Sequence, residues 1–230
     1  MCAIMQPTYL PWAGYFNLMQ QVDQFVFLDD VQFEHQSWQT RNRILVHGSE
    51  LQLVVPVQRC PLSTLISEVR IVGDDRWRAK HWGSLTAAYG KAPHGKEVLN
   101  LLEPIYSGVI PERLADLNES IITTIARALD IATPFLRGSQ LGCGGTRSSH
   151  LVAICRATDS DEYLSPPGSH AYLMEDNFEA LGNIKLNFQH YVPKVYQQHR
   201  TTDFTPRLSI VDVIANLGIN GCVQYVRESE

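Results

Sequence analysis

No apolar run in this chain approaches the roughly 20 residues that a membrane span requires. The N-terminus also lacks the charged, then apolar, then small-residue pattern of a secretory leader. A cytoplasmic protein with no membrane partner is the expectation. Cysteine is sparse: Cys2, Cys60, Cys143, Cys155 and Cys222 are scattered, odd in number and without a Cys-x-x-Cys pair, which suits reduced thiols. With no Cys-x-x-Cys and no His-x-x-x-His, neither a structural zinc nor another metal is expected, and nothing calls for a cofactor. There is no Gly-x-x-x-x-Gly-Lys-Ser/Thr, no convincing Gly-x-Gly-x-x-Gly and no Gly-x-Ser-x-Gly elbow. Positive charge is not in excess. Lys and Arg total 19 against 24 Asp and Glu, a net charge of −5, which argues against broad nucleic-acid coating while leaving room for a local basic pocket.

What is present is an ordinary globular composition, 44% hydrophobic and 19% charged over 230 residues, without repeat, low-complexity tract or linker. One α/β domain over 1–230 is expected, with a single mixed, mainly parallel sheet covered by helices and a β-hairpin insertion. Ala3–Met5 reads as a strand, 15–21 as a helix and the continuous apolar run 25–28 as a strand covered on both faces. Together they suggest a βαβ unit. Residues 43–46 and 51–57 flank His47-Gly48-Ser49 as a hairpin, and 69–72 reads as another strand. Helices are expected over 77–89, with Asp74-Asp75 as its cap, 96–106, 111–129, 149–158, 173–181 and 209–217. Further strands are expected over 135–141, 162–164 and 184–188.

The densest chemistry lies in the turn after the first strand, Gln6-Pro7-Thr8-Tyr9-Leu10-Pro11-Trp12-Ala13-Gly14-Tyr15. Ligands of open α/β sheets sit outside the carboxyl ends of strands. Gln6, Tyr9, Trp12 and Tyr15 are therefore candidate substrate contacts, with Gly14 permitting a close backbone approach. The second strand runs into Asp29-Asp30, candidate catalytic carboxylates that would orient or deprotonate a bound group, and Gln32 extends the same edge. Arg41-Asn42-Arg43 places two guanidinium forks around an asparagine, a pattern suited to phosphate. Tyr163 to Leu173 again joins a strand to a helix; Ser165, Ser169 and Tyr172 are candidate contacts there and His170 a candidate base. Structural alternatives stand beside each: aromatic filling, a helix cap, a solvated strand edge, a surface histidine. Cys2 would become an N-terminal thiol if Met1 were removed, but its apolar strand setting argues against a nucleophile.

These residues resemble the WbqC-like protein family. The resemblance rests on Ile4 to Phe16, Phe25 to Phe33 and Arg41-Asn42-Arg43-Ile44. It continues through Lys80-His81-Trp82, Ala88 to Pro93, Tyr163-Leu164-Ser165, Gly168 to Leu173 and Pro206 to Asp212. It implies an enzyme of surface-polysaccharide or natural-product biosynthesis that transfers an acyl or aminoacyl group, such as glycine, to the amino group of an activated amino sugar or similar amine. A small-molecule amine or nucleotide sugar, and aminoacyl-tRNA as a donor, are the expected partners. The chain departs from the family pattern at His170, Pro166 and Ser149-His150, where lysine, glycine and a Glu-Arg pair are usual. The Pro11 to Tyr15 turn also sits where nucleotidyl-transferring folds carry His-x-Gly-His, with Trp12 and Tyr15 in place of both histidines. Nucleotidyl transfer or adenylation, and a non-catalytic binding module, are the alternatives.

Overall fold

The computed structural model describes residues 1–228. Five strands, β1 (Cys2–Met5), β2 (Gln24–Phe27), β5 (Phe135–Arg137), β6 (Glu162–Ser165) and β7 (Lys185–Phe188), form one parallel sheet in the order β5-β2-β1-β6-β7. The other two strands, β3 (Arg41–Val46) and β4 (Ser49–Val54), form a separate antiparallel hairpin rather than joining this sheet.

The alternation of strand side chains explains the three layers. On one face Ala3, Phe25 and Phe27 pack into the larger apolar core. That core is completed by α1 (Ala13–Gln20), α2 (Arg76–Tyr89), α3 (Gly95–Ser107), α4 (Leu114–Ala128) and α9 (Ile210–Arg227). On the other face Cys2, Ile4 and Val26 meet α6 (Arg147–Ala157), α7 (His170–Glu175) and α8 (Phe178–Gly182). Burial on both faces is why β1 and β2 read as unbroken apolar runs. Among the described residues no helix is long and apolar enough to cross a membrane.

Several expected elements differ. Residues 69–72 form no strand; isolated bridges pair Ile71 with Val57 and Arg70 with Arg113. The strand expected over 135–141 stops at Arg137, because Gly138 begins the short helix α5 (Gly138–Leu141). The helix expected over 173–181 is two helices, divided at Asn177, whose φ of 52° leaves the helical region. The last helix continues to Arg227 across a kink at Gly218. At the start of α2, Asp74 rather than Asp75 accepts from a backbone amide, that of Arg76 at 3.0 Å.

From β1 the chain winds outward through β2 to β5 and, in the other direction, through β6 to β7. The reversal leaves a crevice at the carboxyl ends of β1 and β6, the place where open α/β sheets bind ligands.

Candidate functional site

A cleft of about 340 Å³ occupies that crevice. Its apolar lining includes Ile4, Met5, Leu28, Leu151 and Tyr163, which are strand-end and α6 residues of the core. Gln6, Thr8, Glu34, Ser37, Gln39 and Ser169 supply polar groups, and Trp38 and Tyr172 supply aromatic faces. Trp38 is half exposed, and the Arg43 guanidinium lies 5.6 Å from its ring. Tyr172 is met at 5.8 Å by the guanidinium of Arg147. Glu34 is the one charged side chain in the lining among the described residues, and neither lysine nor arginine contributes to it.

Hydrogen bonds fix the polar side of this cleft. The Gln39 amide donates to Gln6 Oε1 at 3.0 Å, joining the first turn to the segment before β3. Asn118 of α4 donates to the carbonyls of Pro7 at 3.0 Å and Gln39 at 2.8 Å.

The two adjacent carboxylates take different roles, because successive residues leave the strand in opposite directions. Asp29 is fully buried. It accepts from the Ser139 amide at 2.8 Å and the Ser139 hydroxyl at 2.7 Å, so it seats the start of α5. Asp30 turns toward α6, and its Oδ2 lies 3.1 Å from His150 Nε2. Gly138 lies against Asp30: a Cβ there would stand 2.6 Å from Oδ1. On its other side the His150 ring meets the Gly144 carbonyl, Nδ1 to oxygen 3.2 Å. Asp30 Oδ1 and His150 Nε2 complete no hydrogen bond among the described residues, so the two side chains are close neighbours without an aligned donor.

A second charged group stands behind Asp29. Arg137, at the end of β5, donates to Glu119 at 2.6 Å and reaches Asp116 at 2.8 Å. Burial nevertheless pushes the Glu119 carboxyl up to about 7, against the pull of Arg137, with the charges of Asp29 and Asp116 adding to the rise. Cys143, in the glycine-rich loop before α6, has its thiol pushed up by burial and by the charge of Asp30.

The structure thus brings Gln6, Ser169 and Tyr172 to one cleft, with Asp30 beyond Leu28 in the chain. The other candidates lie elsewhere. Tyr9 is a core residue whose hydroxyl bonds His81 Nδ1 at 2.9 Å and also bonds the Tyr106 hydroxyl. Tyr15 is buried and its hydroxyl donates to the Gln6 carbonyl at 3.1 Å. Trp12 packs on Tyr191 and under Arg207, and its indole covers Gly14 so closely that a Cβ there would fall 2.2 Å from the ring. The close approach anticipated at Gly14 is therefore that of Trp12. Asn42 is buried and donates to the carbonyls of Tyr9 and Leu10 at 3.1 and 2.8 Å. Arg43 pairs with Glu50 at 2.9 Å, while Arg41 has its Nε unpartnered among the described residues. Gln32 is exposed and pairs by backbone with Leu65. Ser165 is buried and donates to the Pro166 carbonyl at 3.3 Å. His170 is exposed and rests on Phe188, ring centroids 4.6 Å apart.

The profile of the WbqC-like protein family matches residues 6–223, a span that holds the aromatic turn, both carboxylates and all of the cleft lining except Ile4 and Met5. The chain belongs to the WbqC-like family. A relative, the uncharacterized protein Rv1507c of Mycobacterium tuberculosis (strain ATCC 25618 / H37Rv), is 31% identical over 217 residues, covering 94% of this chain and 93% of its own. No solved structure matches. In this WbqC-like chain the positions that sequence reasoning missed are His150, Ser139, Glu119, Gly138 and Trp38. His150 was visible only as part of a departure from the family pattern; 120 residues separate it from Asp30, and no spacing rule joins them.

Proposed function

We propose that this WbqC-like protein is a transferase that moves an acyl or aminoacyl group onto an amine held in the β1–β6 cleft. The observation that carries the reading is the closeness of Asp30 and His150, chain neighbours of the lining residues Leu28 and Leu151, to one another, together with a cleft lining that holds Glu34 and neither lysine nor arginine among the described residues. Such a lining favours a cationic or neutral guest over a phosphate. An amine reaches the site as an ammonium and must lose a proton before its lone pair attacks an acyl carbon. Asp30, with His150 as its partner, is the base suited to take that proton. Gln6 and Ser169 would orient the acceptor by hydrogen bonds, and Trp38 and Tyr172 would cover its ring faces. If the acceptor is a nucleotide-linked amino sugar, its diphosphate would lie outside the cleft. The same chemistry serves an amine of a natural product, with an activated small molecule or aminoacyl-tRNA as donor.

The test compares melting of the protein with a UDP-amino sugar carrying a free amine, its N-acetylated counterpart, UDP alone, and charged and uncharged tRNA. The free amine should raise the melting temperature and the acetylated sugar should not. If the free-amine and acetylated sugars act alike, or neither acts, the amine reading fails.

A further inference from the structure

At the opposite end of the sheet from the cleft, Cys2 opens β1 and Cys155 lies in the last turn of α6. Both side chains are fully buried, and their sulfurs stand 3.6 Å apart. We propose that Cys2 and Cys155 are a redox pair that closes to a disulfide on exposure to peroxide, tying the start of β1 to the end of α6. A disulfide needs the sulfurs at about 2 Å, so closure asks for an approach of roughly 1.5 Å, within reach of small side-chain rotations at a strand end and a helix end.

The surroundings favour the first chemical step. The hydrogen bond from the Cys155 thiol, aided by the hydroxyls of Ser160 and Thr158, holds Cys2 below the ordinary thiol value against the effect of burial. The same bond pushes Cys155 up. Of the two sulfurs, Cys2 is therefore the one that gives up its proton more readily. The thiolate attacks one peroxide oxygen; the O–O bond breaks, hydroxide leaves and a sulfenic acid forms. The second sulfur, giving up its proton, then attacks the sulfenic sulfur. The S–S bond forms and the hydroxyl leaves as water. Over both steps two thiols and one peroxide become one disulfide and two waters, with two electrons passing from sulfur to peroxide. Hydrogen peroxide is small enough to reach the pair through local opening of the strand end.

The bond would have a reach beyond its own corner. Helix α6 carries His150 near its start, and β1 runs directly into Gln6. Pinning Cys155 to Cys2 fixes the helix that bears one site residue against the strand that leads to the other.

The experiment treats the full chain with hydrogen peroxide, denatures it in iodoacetamide and maps the peptides without reduction. The expected result is a Cys2–Cys155 linked peptide, lighter by two hydrogens and removed by dithiothreitol, while Cys222 remains alkylated. In Cys155→Ser, Cys2 should instead accumulate as sulfinic acid, since no second thiol intercepts the sulfenic acid. The proposal is overturned if Cys60 or Cys143 becomes oxidised while Cys2 and Cys155 are both still alkylated. It also fails if wild type and Cys155→Ser accumulate the same sulfinic acid at Cys2.

Discussion

His150 Nε2 faces Asp30 Oδ2 at 3.1 Å across the junction of α6 and the end of β2, and both side chains are largely withdrawn from solvent. Removing either side chain leaves the other, largely buried polar group without its neighbour. On the proposed chemistry, Asp30→Asn should lower transfer to an amine by about 10²–10⁴-fold, the usual worth of a positioned base. The fold should persist, because asparagine keeps the shape and the contact with His150. Steady-state kinetics alongside far-ultraviolet circular dichroism reads both. An Asp30→Asn protein with wild-type turnover would remove Asp30 from the mechanism.

Gly138 tests the placement of Asp30 from the other side. Gly138→Ala would set a methyl group 2.6 Å from Asp30 Oδ1. The carboxylate must then move, at an expected cost of about 1–3 kcal/mol in stability, together with loss of whatever activity Asp30 supports. Urea unfolding gives the first quantity. An unchanged midpoint would mean that the α5 turn yields without cost.

Two buried groups give the stability curve opposite slopes. Glu119 is held up to about 7 by burial. The folded protein therefore binds more protons than the unfolded chain between the carboxyl's ordinary value and about 7. Its favourable contribution is complete at acid pH and is lost as pH rises through that window. His81 is driven down to about 4, chiefly by burial. Here the unfolded chain binds more protons, so stability is lost as pH falls from the ordinary histidine value toward about 4. The two terms oppose each other where the windows overlap, and single variants separate them. Between pH 5 and pH 8, Glu119→Gln should lose about 2 kcal/mol less stability than wild type. His81→Gln should flatten the acid limb by a similar amount. Identical pH profiles for wild type and Glu119→Gln would refute the first assignment.

Tyr9 separates core from site. Its hydroxyl joins His81 and Tyr106 in a buried chain of hydrogen bonds. Tyr9→Phe should cost about 1–2 kcal/mol through the polar atoms it strands, with no change in ligand affinity. Trp38→Ala should do the converse, weakening binding while stability stays within about 0.5 kcal/mol, since half of that side chain already faces solvent. Paired titration and thermal melting of the two variants decide the matter. A Tyr9→Phe protein that melts normally but binds poorly would place Tyr9 in the site after all.

The parallel sheet was legible because β1 and β2 are apolar on both faces, and the βαβ order followed from the helix between them. The cleft was legible in outline, since strand-to-helix turns at Gln6, Asp29 and Ser165 must gather at one edge. Individual roles were less so. Tyr9, Trp12 and Tyr15 share a conspicuous motif, yet the turn points two of these rings into the core and lays the third over Gly14. A pattern of residue types does not record side-chain direction in an irregular segment. His170 attracted notice as a loop histidine, whereas the histidine that meets a carboxylate is His150. That pairing depends on α6 returning alongside β1, a long-range consequence of the sheet order.

Asn118 gives the cleft one further property. A single carboxamide on α4 grips the carbonyls of Pro7 and Gln39 together, so the two loops beside the opening share one anchor. The two loops are thereby tied to the seat of α4, and on the proposed function a bulky guest that spread one loop would strain the bond to the other. Size selection would then be enforced from beneath the mouth, by a residue that never meets the guest.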